Sequence, residues 1–150
     1  MSLFCIYSNH PERIVLELEG DKVVREYRSK PLPWAWGEIR GGTTPILFKG
    51  VLIQFFHSCF HHTKERSGWQ YHIGCCVCSP EPPFEMLAIS SHPILSGHEW
   101  KNPKAHHQKS GVAIPYGCVN DGPEAILLST GINDSCCAVS RLTERQLRLT

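Results

Sequence analysis

Arg40 precedes two glycines and two threonines in Gly37-Glu38-Ile39-Arg40-Gly41-Gly42-Thr43-Thr44-Pro45, and His57 stands at the far end of the strand that follows. An arginine beside a glycine-bearing turn can donate a planar fork of hydrogen bonds to oxyanions or sugar hydroxyls. Glycines there let the backbone approach a neighbour that a side chain would block. Glu38 and Asp134 are the carboxylates best placed for acid or base work. Asp21 and Asp121, the other two aspartates, lie in Asp-Lys and Asn-Asp-Gly turns, where a turn role suffices. Trp36, ahead of Ile39-Arg40, is the aromatic best placed to stack on a ring.

The cysteines and histidines invite a metal reading that the spacing argues against. Structural zinc sites use paired Cys-x-x-Cys knuckles. This chain has Cys75-Cys76-Val77-Cys78 inside a strand pattern, so Cys75 and Cys76 point to opposite faces. Buried thiols acting as small hydrophobes fit better, and we assign no metal ligands. The His61-His62 and His106-His107 pairs fall in polar loops. No local pattern marks a cysteine nucleophile.

These residues are positioned by short strands. Leu3 to Ser8, Arg13 to Glu19 and Lys22 to Arg28 read as strands, the last two a hairpin about Gly20-Asp21. A stiff connection carrying Pro31, Pro33, Trp34 and Trp36 leads to the polar turn. Thr44 to Phe48 and Val51 to Ser58 follow, with Val51, Ile53, Phe55 and His57 on one face and Leu52, Gln54, Phe56 and Ser58 on the other. Trp69 to Ser79, Phe84 to Ser90, Val112 to Val119, Ala125 to Thr130 and Cys136 to Leu142 complete the set. Polar loops are expected over 61–68 and 96–110, the second with Trp100, and a short helical tail or a strand over 143–149. Strands about ten residues apart, with no sustained helical period, indicate an all-β chain. Strand pairs that close on similar polar ends, Phe56-His57-Ser58 and Ser129-Thr130-Gly131, favour a propeller over a sandwich or barrel.

At 150 residues, with 41% hydrophobic and 19% charged residues, the chain is expected to be one globular domain, 1–150. A formal net charge of +1 and the lack of a dense basic run give no case for nucleic acid. No apolar run is long enough for a membrane span. Met1 to His10 lacks the features of a signal peptide, so the eight cysteines are expected to be reduced in a cytoplasmic setting.

Six stretches in order then carry a resemblance: Arg40 to Pro45, the hairpin ending Phe56-His57-Ser58, Tyr71-His72-Ile73-Gly74, Phe84 to Leu95, Val112 to Gly117 and Gly131-Ile132-Asn133-Asp134. Over about residues 4 to 142 the chain resembles the C-terminal part of the five-bladed β-propeller glycosidase superfamily, in the branch similar to glycoside hydrolase family 130, the β-mannoside phosphorylases and mannosidases. The resemblance implies a sugar pocket faced by Arg40 and Thr43, with Tyr116 and the Asn133-Asp134 pair near it. It implies that His57 helps hold phosphate, so inorganic phosphate enters as a co-substrate and no other cofactor is called for. Mannoside-like carbohydrate is the implied ligand.

The departures from that family are as informative. Its Glu-Asp-Pro-Arg-like element and its general acid belong to an N-terminal half that this sequence does not contain. A closed five-bladed propeller of four-stranded blades needs about twice this length. The expectation is therefore an open arc of two to three antiparallel blades that binds glycans and lacks the acid. Its exposed blade edges favour a homo-oligomer. The alternative is a non-catalytic structural or interaction module of a larger glycan-processing polypeptide.

Overall fold

The computed structural model describes residues 2–61, 69–97 and 111–149. Among the described residues the chain is all-β, with three antiparallel sheets, none of them closed. Of the polar loops expected over 61–68 and 96–110, His61 instead ends a strand that pairs with Trp69 and Ser96 ends another that pairs with His72, while 62–68 and 98–110, with His62, His98, Trp100, His106 and His107, lie outside the described residues.

The first sheet is a meander of β1 (Leu3–Ser8), β2 (Arg13–Glu19) and β3 (Lys22–Ser29). The middle sheet runs β4 (Glu38–Gly42), β6 (Val51–His61), β7 (Trp69–Cys78), β8 (Met86–Ile89), with β5 (Ile46–Phe48) paired to β6 and β9 (Leu95–Ser96) to β7. The third sheet is a second meander, β10 (Ala113–Asn120), β11 (Ala125–Ile132) and β12 (Cys136–Thr143), followed by a 3₁₀ turn over Glu144–Leu147. The tail is thus the helical one of the two forms expected.

The middle sheet is buried on both faces, and the alternation along β6 shows how. Ile53 and Phe55 join Ile73, Cys75 and Val77 of β7 in a core shared with Ala113, Ile126, Leu128 and Leu142 of the third sheet. Phe56 points the other way, into a core with Ile39, Cys76, Cys78, Met86 and Ile89, closed by Leu32 and Trp34. Phe84 continues that side toward the first sheet, where Phe4 meets it edge-on at 4.9 Å and Tyr27 at 6.0 Å. One apolar face of this strand pair packs on the third sheet, the other is closed by Leu32 and Trp34, and the first sheet meets the middle one through Arg13 and the rings around Phe84.

One expectation needs revision here. The stretch read as a polar turn contains a strand, because Glu38 and Ile39 pair with Cys59 and Ser58 of β6, and Gly42 with Phe56. Gly42 makes this possible: a Cβ there would lie 1.9 Å from the Phe55 carbonyl oxygen. Glycine is normally poor in strands, but here it permits a backbone approach that no other residue allows. Pro115 sits on β10, an edge strand with a register shift between Pro115 and Gly117, where a missing N–H costs no ladder bond.

Candidate functional site

β4 lies between two groups of polar side chains. On one side a cavity of about 920 Å³ opens between β1 and β4. Glu38, Arg40 and Thr43 line it, together with Asn9, Arg13, Gln54 and the apolar groups Phe4, Ile6, Leu52 and Phe84. At the rim, Arg40 Nε stands 3.9 Å from Glu38 Oε1, an exposed pair worth little to stability. Thr43 is nearly buried. Its hydroxyl accepts from the Phe55 amide at 3.2 Å and from the Cys118 thiol at 3.5 Å, so it fixes β4 against β6 and β10.

Arg13 forms the inner wall, and the sequence reading missed it. Its side chain is only 1% exposed. Nε donates to the Phe84 carbonyl at 3.1 Å, and Nη1 donates to Asn9 Oδ1 at 2.6 Å and Gln54 Oε1 at 3.0 Å. Behind it Cys76 and Cys78, on one face of β7, bring their sulfurs to 3.8 Å. Cys78 is lowered from the ordinary thiol value, first by its hydrogen bond with Cys76 and then by the Arg13 charge, with burial opposing. Cys76 is raised by the same hydrogen bond and by burial.

The second group occupies the opposite face of the middle sheet. His57 stacks on Tyr71 with ring centroids 5.9 Å apart, and its Nδ1 is buried without a hydrogen-bond partner. Burial holds His57 below the ordinary histidine value. The Arg40 charge adds to the shift and the Gly41 backbone opposes it. Tyr71 is raised first by burial, then by its contact with Cys59. Arg40 partly offsets this, and the charge of Asp134 adds to it. The charge of Arg40, which lines the cavity, is thus felt across β4 at His57 and Tyr71, and that of Asp134 at Tyr71.

The remaining expected residues stand elsewhere. Trp36 lies across the middle sheet from His57, edge-on to His72 at 5.5 Å, with its carbonyl accepting from Ser58 Oγ at 2.7 Å; it does not line the cavity. Asn133 is a buried clip: Oδ1 accepts from the Val112 amide at 2.9 Å and Nδ2 donates to the Gly97 carbonyl at 3.2 Å. Tyr116 is 62% exposed on the outer face of the third sheet, its ring over Gly131. The eight candidates therefore do not share one pocket: Glu38, Arg40 and Thr43 line the cavity, His57 stacks on Tyr71 within the field of Asp134, and Trp36, Tyr116 and Asn133 join neither.

Cys75 and Cys76 face opposite cores, as the strand period requires. No disulfide links any of the eight cysteines. Among the described residues no group of three or more His, Cys, Asp or Glu side chains could hold a metal ion. Among them, too, no helix is long and apolar enough to cross a membrane. No protein-family model and no curated protein matches the chain.

Proposed function

We propose that the chain is a carbohydrate-binding arc of a glycosidase- or phosphorylase-related β-propeller, its three sheets standing as successive blades and its ligand a mannoside-like oligosaccharide. The observation that carries this reading is the cavity beside β4. It sets the guanidinium of Arg40, the carboxylate of Glu38 and the amides of Asn9 and Gln54 against the rings of Phe4 and Phe84. Sugar recognition needs that mixture, with apolar ring faces for the pyranose and converging polar groups for its hydroxyls. The volume suits a short oligosaccharide, within the usual range of about 300–1,000 Å³ for small-molecule pockets.

Binding without cleavage is the form of the reading we favour. Glycoside cleavage uses a protonated acid and a second carboxylate across the scissile bond. Among the described residues Glu38 is the one carboxylate that lines the cavity, and Arg40 stands beside it. Asp134 does not line the cavity, and its charge is felt at Tyr71 instead. With Arg40 on β4 and His57 on the neighbouring β6 within its field, inorganic phosphate is the proposed anionic co-ligand. The second reading, an assembly module, has its own support in the exposed apolar residues of the two outer sheets, Leu3, Tyr7 and Val24 on one and Tyr116, Val119 and Val139 on the other.

Thermal shift with mannose, mannobiose, related oligosaccharides and phosphate separates the two. A ligand at a hundred times its Kd stabilises by about 2.7 kcal/mol, or roughly 5–10 °C in a domain of this size. The binding reading predicts a saturable shift with one of these, lost in Arg40→Ala. The absence of any shift from a folded sample supports the assembly module.

A further inference from the structure

Arg13 is a buried cation whose acceptors are all neutral. Its Nε and Nη1 are committed to Phe84, Asn9 and Gln54, and Nη2 makes no hydrogen bond among the described residues. No carboxylate there pairs with it. Arg40, the other arginine of the cavity wall, has Glu38 at 3.9 Å. Taking a guanidinium out of water without an opposite charge is costly, and neutral hydrogen bonds recover only part of that cost. The arginine lines a cavity large enough for an organic ligand, beside Asn9 and Gln54 and facing Phe4 and Phe84. The wall therefore holds a positive charge with an unused N–H pair, and Phe4 and Phe84 line the same cavity.

We infer that the cavity takes an acidic sugar, a hexuronate or a short oligosaccharide ending in one, with its carboxylate on the free nitrogen of Arg13. This rests on the carbohydrate reading and narrows it. A carboxylate supplies the missing counter-charge through charge-assisted hydrogen bonds, which are roughly twice as strong as neutral ones. The hydroxyls of the same ring meet the amides of Asn9 and Gln54, and its apolar face meets an aromatic wall. A neutral sugar would leave the charge of Arg13 as it stands.

The test is calorimetric titration of the wild-type chain with a uronate-bearing disaccharide, its methyl ester, the neutral disaccharide of the same linkage, and cyclohexanecarboxylate. The acid is expected to bind about tenfold or more tightly than its ester and the neutral sugar. That preference should shrink with added salt and vanish in Arg13→Gln. Because Arg13 also ties three segments together, this variant could fail to fold; the acid-to-ester ratio on the wild type decides the matter without it. Equal affinity for acid, ester and neutral sugar overturns the inference and leaves the carbohydrate reading standing. Cyclohexanecarboxylate binding as tightly as the uronate overturns the sugar class, and no binding by any of the four overturns both. A thiolate at Cys78, seen as ultraviolet absorbance at neutral pH that Cys78→Ser removes, would supply the counter-charge from within and, with equal affinities, overturn the inference.

Discussion

His57 has a buried Nδ1 with no hydrogen-bond partner and a ring stacked on Tyr71, so it is held in its neutral form by burial. The unfolded chain takes up a proton at this side chain near the ordinary histidine value of about 6.5, before the folded chain does. A lowered folded value means that the stability His57 contributes is present above about pH 6.5 and is lost as pH falls through that value toward the folded one. Urea unfolding from about pH 7.5 to 5.5 should therefore show a shallower decline in His57→Gln than in the wild type. Equal slopes would contradict the burial account. Much of this chemistry was readable from residue types. Arginine beside glycines and histidine at a strand end point to β4 and its surroundings, and Glu38, Arg40 and Thr43 do line the cavity. Arg13 was not read because a charged residue opening a strand looks exposed. It shares strand parity with Val15, which is 2% exposed, and that parity was the available signal for its burial. Asn133 is named through the resemblance of Gly131-Ile132-Asn133-Asp134 to a sugar-site element; here both ends of its amide are spent on the backbone of Gly97 and Val112.

At the scale of elements, β4 is the part that sequence reasoning rendered differently. Its two glycines and its charges read as a turn, since neither type favours strands. What makes it a strand is tertiary: Gly42 closes on the Phe55 carbonyl, and the Thr43 amide donates to the same oxygen at 2.8 Å. Gly42→Ala should cost about 3 kcal/mol and lower Tm, because the added methyl meets backbone rather than a yielding side chain. Gly41→Ala, with open space around its Cβ, should change stability by under about 1 kcal/mol. Similar losses in both variants, measured by thermal or urea unfolding, would show that the close approach is not what holds β4. The long strands were legible because their alternation is regular. Leu52 to Cys59 of β6 pair residue by residue with Cys78 to Tyr71 of β7, and the two buried faces of that ladder match the two apolar rows in the sequence.

At the scale of the whole molecule, the third sheet packs on one face of the middle sheet, the first sheet is tied to it through Arg13 and Phe84, and both carry exposed apolar side chains. Val139 is 69% exposed on the third sheet and Tyr7 72% on the first. Strand spacing conveyed the all-β class, whereas how the sheets are arranged depends on contacts between distant segments, such as Arg13 with Phe84 and Phe4 with the same ring. If these exposed faces cover one another between copies, light scattering behind size exclusion should give a mass at a multiple of 16.9 kDa. Val139→Lys should then restore the single-chain mass; a wild type already at that mass would remove the oligomer from the account. The central claim, a sugar held beside β4, is tested most directly by titrating the isotope-labelled chain with the oligosaccharides named above and following backbone amide shifts. The account predicts saturable changes concentrated in Ile39 to Thr43 and Phe4 to Asn9, all reporting one Kd. Changes scattered over the surface without saturation, or confined to the outer face around Tyr116, would contradict it.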